Sequence, residues 1–214
     1  MQIIAWITAH WLEIFGAAAG IIYVFLEIRQ NIWLWPVGII TSAVYIIVFF
    51  SSKFYADMSL QVYYVAISFY GFYVWRFGTK ATSTTHDNNS AVAGDTHKSV
   101  PLRVSRTPRT LIIRLAAIYL ALHAGMWYVL ANFTDSPVAF WDSFTTALSV
   151  VATWMLARKF IEHWIIWIIV NIVSLILYLY KGLYPTTLLF VVYTVMAFVG
   201  YRAWRRDLMT KTCK

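Results

Sequence analysis

The chain has 214 residues, 61% of them hydrophobic and only 12% charged, with a formal charge of +8. No water-soluble domain of that length can keep so much apolar surface off its exterior, so the composition excludes a soluble globular protein and points to the bilayer. The basic residues are scattered over helix ends and one linker and build no basic helix face, which argues against a nucleic-acid partner.

The N-terminal MQIIAWITAHW has neither a basic n-region nor a small-residue cleavage site, so the first apolar segment is expected to be retained. Apolar runs predict seven helical spans, over 12–28, 33–50, 58–77, 110–131, 137–157, 161–180 and 184–204. Each approaches the roughly 20 residues that cross a hydrocarbon core as a helix, unlike the ~10-residue alternating segments of a barrel. Residues 78–109, rich in Ser, Thr and Asn, read as a polar cytoplasmic linker without chemistry, 110–131 as a linker helix, and 205–214 as a cytoplasmic tail. The only cysteine, Cys213, lies in that tail and excludes an intramolecular disulfide.

With the N-terminus outside, 15 of the 17 Lys and Arg residues fall on one side, against Lys53 and Lys181 on the other. That bias predicts a cytoplasmic linker and C-terminus. At an offset of 129, residues 12–75 align with 141–204 without a gap, with identities at Phe15/Phe144, Ala18/Ala147, Arg29/Arg158, Trp35/Trp164, Tyr55/Tyr184, Tyr64/Tyr193, Gly71/Gly200 and Trp75/Trp204. Two three-helix units fused directly would be inverted; the extra fourth helix restores direction. The expected fold is therefore all-α, with parallel three-helix repeats over 12–77 and 137–204 in a 3+1+3 order, related by an axis along the membrane normal.

Chemistry is sought where equivalent positions differ. In WIIWIIVN, Trp164, Trp167 and Asn171 share one helical face, which continues through Ser174 to Tyr178. Asn171 falls near the midplane and needs a partner, either another helix or a bound solute. The first-repeat counterparts are Trp35, Gly38 and Ser42. In the third span Gln61, Tyr64, Ser68 and Trp75 share a face, opposite Phe190, Tyr193, Ala197 and Trp204 in the seventh. A single asymmetric pocket between the third and sixth helices would offer aromatic faces, amides and hydroxyls suited to a flat ring bearing a sugar-like polyol.

Trp6, Trp11, Trp75 and Trp204, near span ends, read as interfacial belt residues, and Gly71 and Gly200 as close-packing positions. His10, His86, His97, His123 and His163 show no paired spacing, and no HExxH or CxxC occurs, so neither a metal nor a cofactor nor an enzyme's catalytic set is expected. Glu13 and Asp142 fall at outer helix ends and Glu27 and Glu162 near inner ends; no acid at midplane favours passive transport.

NIWLWPVGI in the second span, LQVYY to GFYVW in the third and WxxWxxxN in the sixth resemble the PnuC family of bacterial vitamin transporters, over about residues 12–204 without the linker. Phe72 stands where that family often carries Trp. The resemblance implies uptake of nicotinamide riboside by facilitated diffusion across the inner membrane, a SWEET-like fold and a homotrimer, with a cytoplasmic kinase linked only through the shared metabolite. It also implies that Trp164, Trp167 and Asn171, with Gln61 and Tyr64, hold the solute; Trp35, Ser42, Ser68 and Tyr178 complete the candidate set. The alternatives are an ion-coupled transporter of riboflavin, thiamine, a nucleoside or a sugar, and, further off, a membrane-embedded enzyme or an assembly protein. The orientation is checked with an impermeant thiol reagent, which should label Cys213 only after cells are opened; labelling of intact spheroplasts from outside would reverse the topology.

Overall fold

The computed structural model describes residues 11–51, 55–78, 102–134 and 137–212. Among them are seven α-helices: α1 Trp11–Ile28, α2 Leu34–Ser51, α3 Tyr55–Phe77, α4 Arg109–Phe133, α5 Ala139–Ala157, α6 His163–Tyr180 and α7 Tyr184–Thr212. Helix is what such apolar runs must form where no water competes, because every backbone donor and acceptor has to be satisfied within the segment. Four of them (α2, α4, α6 and α7 to Thr210) are long and apolar enough to cross a membrane, and Ile14–Ile28 of α1 is a shorter apolar stretch. The seventh helix runs past Trp204 into residues expected as tail.

α5 carries more polar side chains, yet it is the most enclosed helix, with Ser143, Ser149, Thr153, Ala147, Ala152 and Leu156 buried. Its hydroxyls are satisfied by its own backbone: Thr146 Oγ1 donates to the Asp142 carbonyl (2.7 Å), Ser149 Oγ to Thr145 (2.8 Å) and Thr153 Oγ1 to Ser149 (2.7 Å). Such back-bonding lets a polar helix sit in an apolar bundle.

The packing repeats across the duplication. Within the first set α1 packs on α2 and α2 on α3; within the second, α5 on α6 and α6 on α7. Between the sets α1 meets α7 and α3 meets α5, contacts that exchange under the 129-residue offset, while α4 packs on α5 alone among the described residues. Helix ends match as well. α1 stops at Gln30, with φ of 53°, and α5 at Lys159, with φ of 54°, 129 residues later. Both turns close by the same pair of bonds: Gln30 N to Glu27 O (3.0 Å) and Asn31 N to Leu26 O (2.9 Å) in one, Lys159 N to Leu156 O (2.9 Å) and Phe160 N to Met155 O (3.0 Å) in the other. These are Schellman closures, which a left-handed residue makes possible and which let α2 and α6 reverse direction at once.

The densest core lies at the end of the bundle where α1, α3, α5 and α7 finish and α2 and α6 begin. It gathers Leu34, Trp35, Ile67, Leu156, Ala157, Ile161, Trp164, Ala197 and Trp204. Each repeat seats one indole there on a glycine: a Cβ on Gly71 would overlap Cζ2 and Cη2 of Trp35, and a Cβ on Gly200 would overlap the same atoms of Trp164. Each seated indole meets a second edge-on, Trp35 with Trp75 at 5.4 Å between centroids and Trp164 with Trp204 at 5.9 Å.

Residues 79–101 of the expected linker lie outside the described residues, but 102–108 are firmly docked. Ser105 bridges the α5–α6 turn, donating its N–H to the Lys159 carbonyl (3.1 Å) and accepting from Ile161 N (3.0 Å). Thr107 donates its backbone N–H (3.0 Å) and hydroxyl (2.7 Å) to Glu162 Oε2, and Val104 is buried in the core. The turn leaves a free carbonyl and N–H that this segment completes, so the linker's last residues belong to the fold.

Gly200→Ala should therefore lower thermal stability by about 1–3 kcal/mol, the range for overpacking a filled site. Gly125→Ala, with nothing within 4 Å of the new methyl, should show no loss. Equal melting temperatures for the two variants would refute the glycine seat.

Candidate functional site

Directly beside the seated Trp164 lies a cavity of about 320 Å³. α6 supplies Trp164, Trp167, Val170, Asn171 and Ser174; α1 supplies Gly20, Tyr23, Val24 and Glu27; α5 supplies Thr145, Thr146 and Ser149. Phe190, Tyr193 and Ala197 of α7 and Leu60 and Tyr64 of α3 complete the wall. Helices on both sides of α4 in the chain contribute, α1 and α3 before it and α5, α6 and α7 after it.

The sequence-predicted residues divide. Trp164, Trp167, Asn171 and Tyr64 are brought together on the wall. Trp35, Ser42, Gln61, Ser68 and Tyr178 are not on it. Trp35 is wholly buried on Gly71, Ser42 is buried in α2, and Ser68 is buried with its hydroxyl against Gly38, where a Cβ would meet it at 3.1 Å. These three serve the α1–α2–α3 packing. Tyr178 lies one layer away, its ring 5.1 Å from that of the wall residue Phe190.

Trp204 is not a belt residue. It is 0% exposed, packs on Trp164 and on His163 (4.8 Å), and donates Nε1–H to the Glu27 carbonyl at 3.1 Å. Trp75, half-buried, makes the corresponding bond from α3 to α5, Nε1–H to the Ala157 carbonyl at 3.1 Å. Both indoles cross the boundary between repeats to cap the last carbonyls of a helix, a use that position near a span end does not reveal. Trp6 and the Trp11 side chain lie outside the described residues.

Sequence reasoning missed the contribution of α1. Gly20, Tyr23, Val24 and Glu27 recur at i, i+3, i+4 and i+7, a single helical face legible in the sequence itself. It also missed His163, 0% exposed, whose Nε2 lies 3.0 Å from Glu27 Oε1 and whose Nδ1 lies 2.6 Å from the Phe160 carbonyl.

What the wall can offer a solute follows from what is already used. The α5 hydroxylic side chains spend their hydrogens on their own helix, leaving oxygen lone pairs. The indole N–H groups of Trp164 and Trp167 are buried without an acceptor. Among the described residues the Asn171 carboxamide has no hydrogen-bond partner either, so it does not tie α6 to a neighbouring helix. Trp35 also leaves its N–H unpaired, away from the cavity, so for a seated indole this belongs partly to the seat; Trp167, which has no glycine seat, is the clearer signal. Unpaired buried donors are costly, and here they border a space large enough for a ligand.

The model of the family described as "Nicotinamide mononucleotide transporter" matches residues 10–206, all seven helices almost entirely. The chain belongs to the nicotinamide mononucleotide transporter family. This is a family of transporters rather than enzymes, and the chain is accordingly a multi-pass membrane transporter. It is similar to the nicotinamide riboside transporter PnuC of Escherichia coli (strain K12), 26% identical over 205 residues that cover 91% of this chain and 84% of that protein. It is also similar to the riboflavin/roseoflavin transporter RibM of Streptomyces davaonensis, 26% identical over 205 residues, with 92% and 87% covered. Among solved structures, the crystal structure of the vitamin B3 transporter PnuC has the same fold, with a TM-score of 0.70 at 22% identity over 98% of this chain and 86% of that one.

Because Trp204 holds both Trp164 and the Glu27 backbone, Trp204→Leu in this nicotinamide mononucleotide transporter family member should cost stability, by up to about 3–5 kcal/mol as for other large-to-small core changes. Thermal unfolding in detergent checks this; a melting temperature unchanged from wild type would return Trp204 to the membrane interface.

Proposed function

We propose that the chain imports nicotinamide riboside across a bacterial inner membrane by facilitated diffusion, binding it in the cavity between two parallel three-helix repeats. The observation that carries this reading is the cavity wall itself: aromatic faces from Trp164, Trp167, Tyr23 and Tyr193, with unpaired indole N–H groups and a free Asn171 carboxamide. A pyridine ring stacks on such faces, and its amide and ribose supply the acceptors and hydroxyl donors that the wall lacks. At about 320 Å³ the cavity lies at the small end of the ~300–1,000 Å³ range for small-molecule sites, which suits a nucleoside better than the three fused rings of a flavin. The similarity to both PnuC and RibM keeps a B vitamin as the solute class.

The repeats follow a 3+1+3 order with α4 as the linker helix, in the SWEET-like manner; the exchange of α1–α7 for α5–α3 contacts supports it. The Lys and Arg bias puts the N-terminus outside, so the tryptophan-sealed end of the bundle faces the cytoplasm. A homotrimer is the assembly that the family resemblance implies.

Purified protein in liposomes, loaded with no ion gradient, tests the reading. Labelled nicotinamide riboside should enter until inner and outer concentrations are equal and go no further when a proton or sodium gradient is imposed. Asn171→Leu should weaken binding roughly tenfold to hundredfold, the cost of one lost buried hydrogen-bond partner. Accumulation above equality would make the transporter ion-coupled, and unchanged affinity in Asn171→Leu would move the solute elsewhere.

A further inference from the structure

Along α1 the cavity follows one face, Gly20, Tyr23, Val24 and Glu27. Seven residues separate its ends, about 10 Å at the helical rise of roughly 1.5 Å per residue. At the Glu27 end the floor is the seated Trp164. At the other end the face does not stop for want of a small residue: Gly16 lies one turn earlier on the same face, yet it is not on the wall. What ends the cavity there is a side chain from α7. The hydroxyl of Tyr193 reaches α1 at Gly20, where a Cβ would overlap the hydroxyl oxygen and crowd Cζ at 3.0 Å. Tyr45 of α2 comes down on Gly16 in the same way, its Cζ 3.3 Å from a Cβ placed there, and covers the next turn.

The tyrosine is held from behind as well. Phe190, one turn away on α7, meets the Tyr193 ring edge-on at 5.7 Å between centroids, and Phe190 in turn rests against Tyr178 of α6 at 5.1 Å. With Phe190 behind the ring and Tyr45 beyond it, the space open to a displaced Tyr193 is the cavity itself. The offset of 129 residues pairs Tyr193 with Tyr64 and Gly20 with Ser149, and all four line the cavity. A side chain stands at the α5 position and none at the α1 position. Glycine weakens a helix relative to alanine, so its place at position 20 is explained by the ring that it receives.

We propose that Tyr193, seated on Gly20, sets the upper size of the solute that the cavity admits. The phenol ring is the end wall against which the far end of the solute rests, and the absence of a side chain at position 20 fixes where that wall stands. A solute longer than the face from Gly20 to Glu27 meets the ring. This inference rests on the transport reading above, leaves its passive mechanism unchanged, and adds the residue pair that bounds the solute.

The test titrates purified full-length protein in detergent with nicotinamide riboside and with riboflavin, whose fused rings carry a longer chain. Wild type should bind the riboside and reject the flavin. Tyr193→Ala should bind the flavin at least about tenfold more tightly than the wild type does, since the end wall is gone. Gly20→Ala should weaken riboside binding about tenfold or more, as the displaced ring enters the solute's space. Because the overlapping atom is the hydroxyl oxygen, the same glycine change made in Tyr193→Phe should cost clearly less, a coupling that a double-mutant cycle reads directly. Melting temperatures separate lost binding from lost fold, and where Gly20→Ala fails to fold, the Tyr193→Ala titration decides alone. The proposal is overturned, and the transport reading left standing, by any of three results: Tyr193→Ala without a gain in flavin binding, Gly20→Ala with wild-type riboside affinity, or a glycine change that costs the same with and without the hydroxyl. A wild type that binds both ligands equally overturns the size limit together with the preference for a nucleoside, and one that binds neither removes the nicotinamide riboside reading and this inference with it.

Discussion

The structure depends on one close approach, the indole of Trp164 seated against the backbone of α7 at Gly200. In a bilayer, apolar side chains gain little by leaving lipid for protein, so helices associate through packing and polar contacts, and a residue without Cβ lets two backbones close on a large flat side chain. Trp164 is fixed there by Trp204 and by His163 (4.8 Å), which in turn reaches Glu27 on α1. Three helices and the floor of the cavity are thus held by contacts that all pass through one residue. The same seat in the first repeat, Trp35 on Gly71, holds the α2–α3 pair and is not on the wall of this cavity.

Why the second seat and not the first borders this cavity is a matter of where bulk has been placed. In the first repeat Gly38 leaves a gap that Tyr23 and Ser68 fill, at 3.2 and 3.1 Å from a notional Cβ. In the second repeat the corresponding residues are Trp167, Ala152 and Ala197: the large side chain has moved from the first helix of the unit to the second, and its neighbours have become small. Ala152 and Ala197 are buried accordingly. Polarity shifts with bulk. Leu34 and Ser42 become His163 and Asn171, while Glu27 of α1 answers Leu156 of α5. Halves that agree in glycine seats, Schellman turns and indole bonds therefore differ at positions on or beside the cavity wall.

Much of this was legible in the sequence. Seven apolar runs show how many helices there are and roughly where, though not that the last one continues to Thr212, and a gapless offset of 129 residues aligns even the left-handed Gln30 and Lys159. The α6 face was legible because Trp, Trp and Asn stand out in an apolar helix. What could not be read was rotation. Ser42, Gln61 and Ser68 sit on faces as polar as that of Asn171, and nothing in a periodic pattern says which face turns to the cavity and which to the next helix. Trp204 and Trp75 were misplaced for a related reason: an indole at a span end can meet lipid headgroups or a neighbouring helix's last carbonyls, and the sequence is the same in either case. The docking of Val104 to Thr107 was hidden by the composition around it, since four residues that complete a turn do not alter the polarity of a long segment.

The distribution of hydrogen-bond capacity gives the site its chemical direction. A membrane interior offers no water to unpaired groups, so polar side chains there normally find partners within the protein. α5 follows that rule, with its hydroxyls returned to their own helix. α6 does not: Trp167 and Asn171, one turn apart, are left open toward the same space, facing α5 oxygens whose hydrogens are committed. The wall is thus rich in unmet N–H donors on one side and in lone pairs on the other. A solute satisfies both only if it carries acceptors at one edge and hydroxyl hydrogens at another, which a purely aromatic molecule cannot do and a free sugar cannot do while also using the aromatic faces. A ring joined to a polyol is the solute proposed above because it matches both sides of the wall, and the match comes from the asymmetry between the two aligned halves rather than from the fold they share.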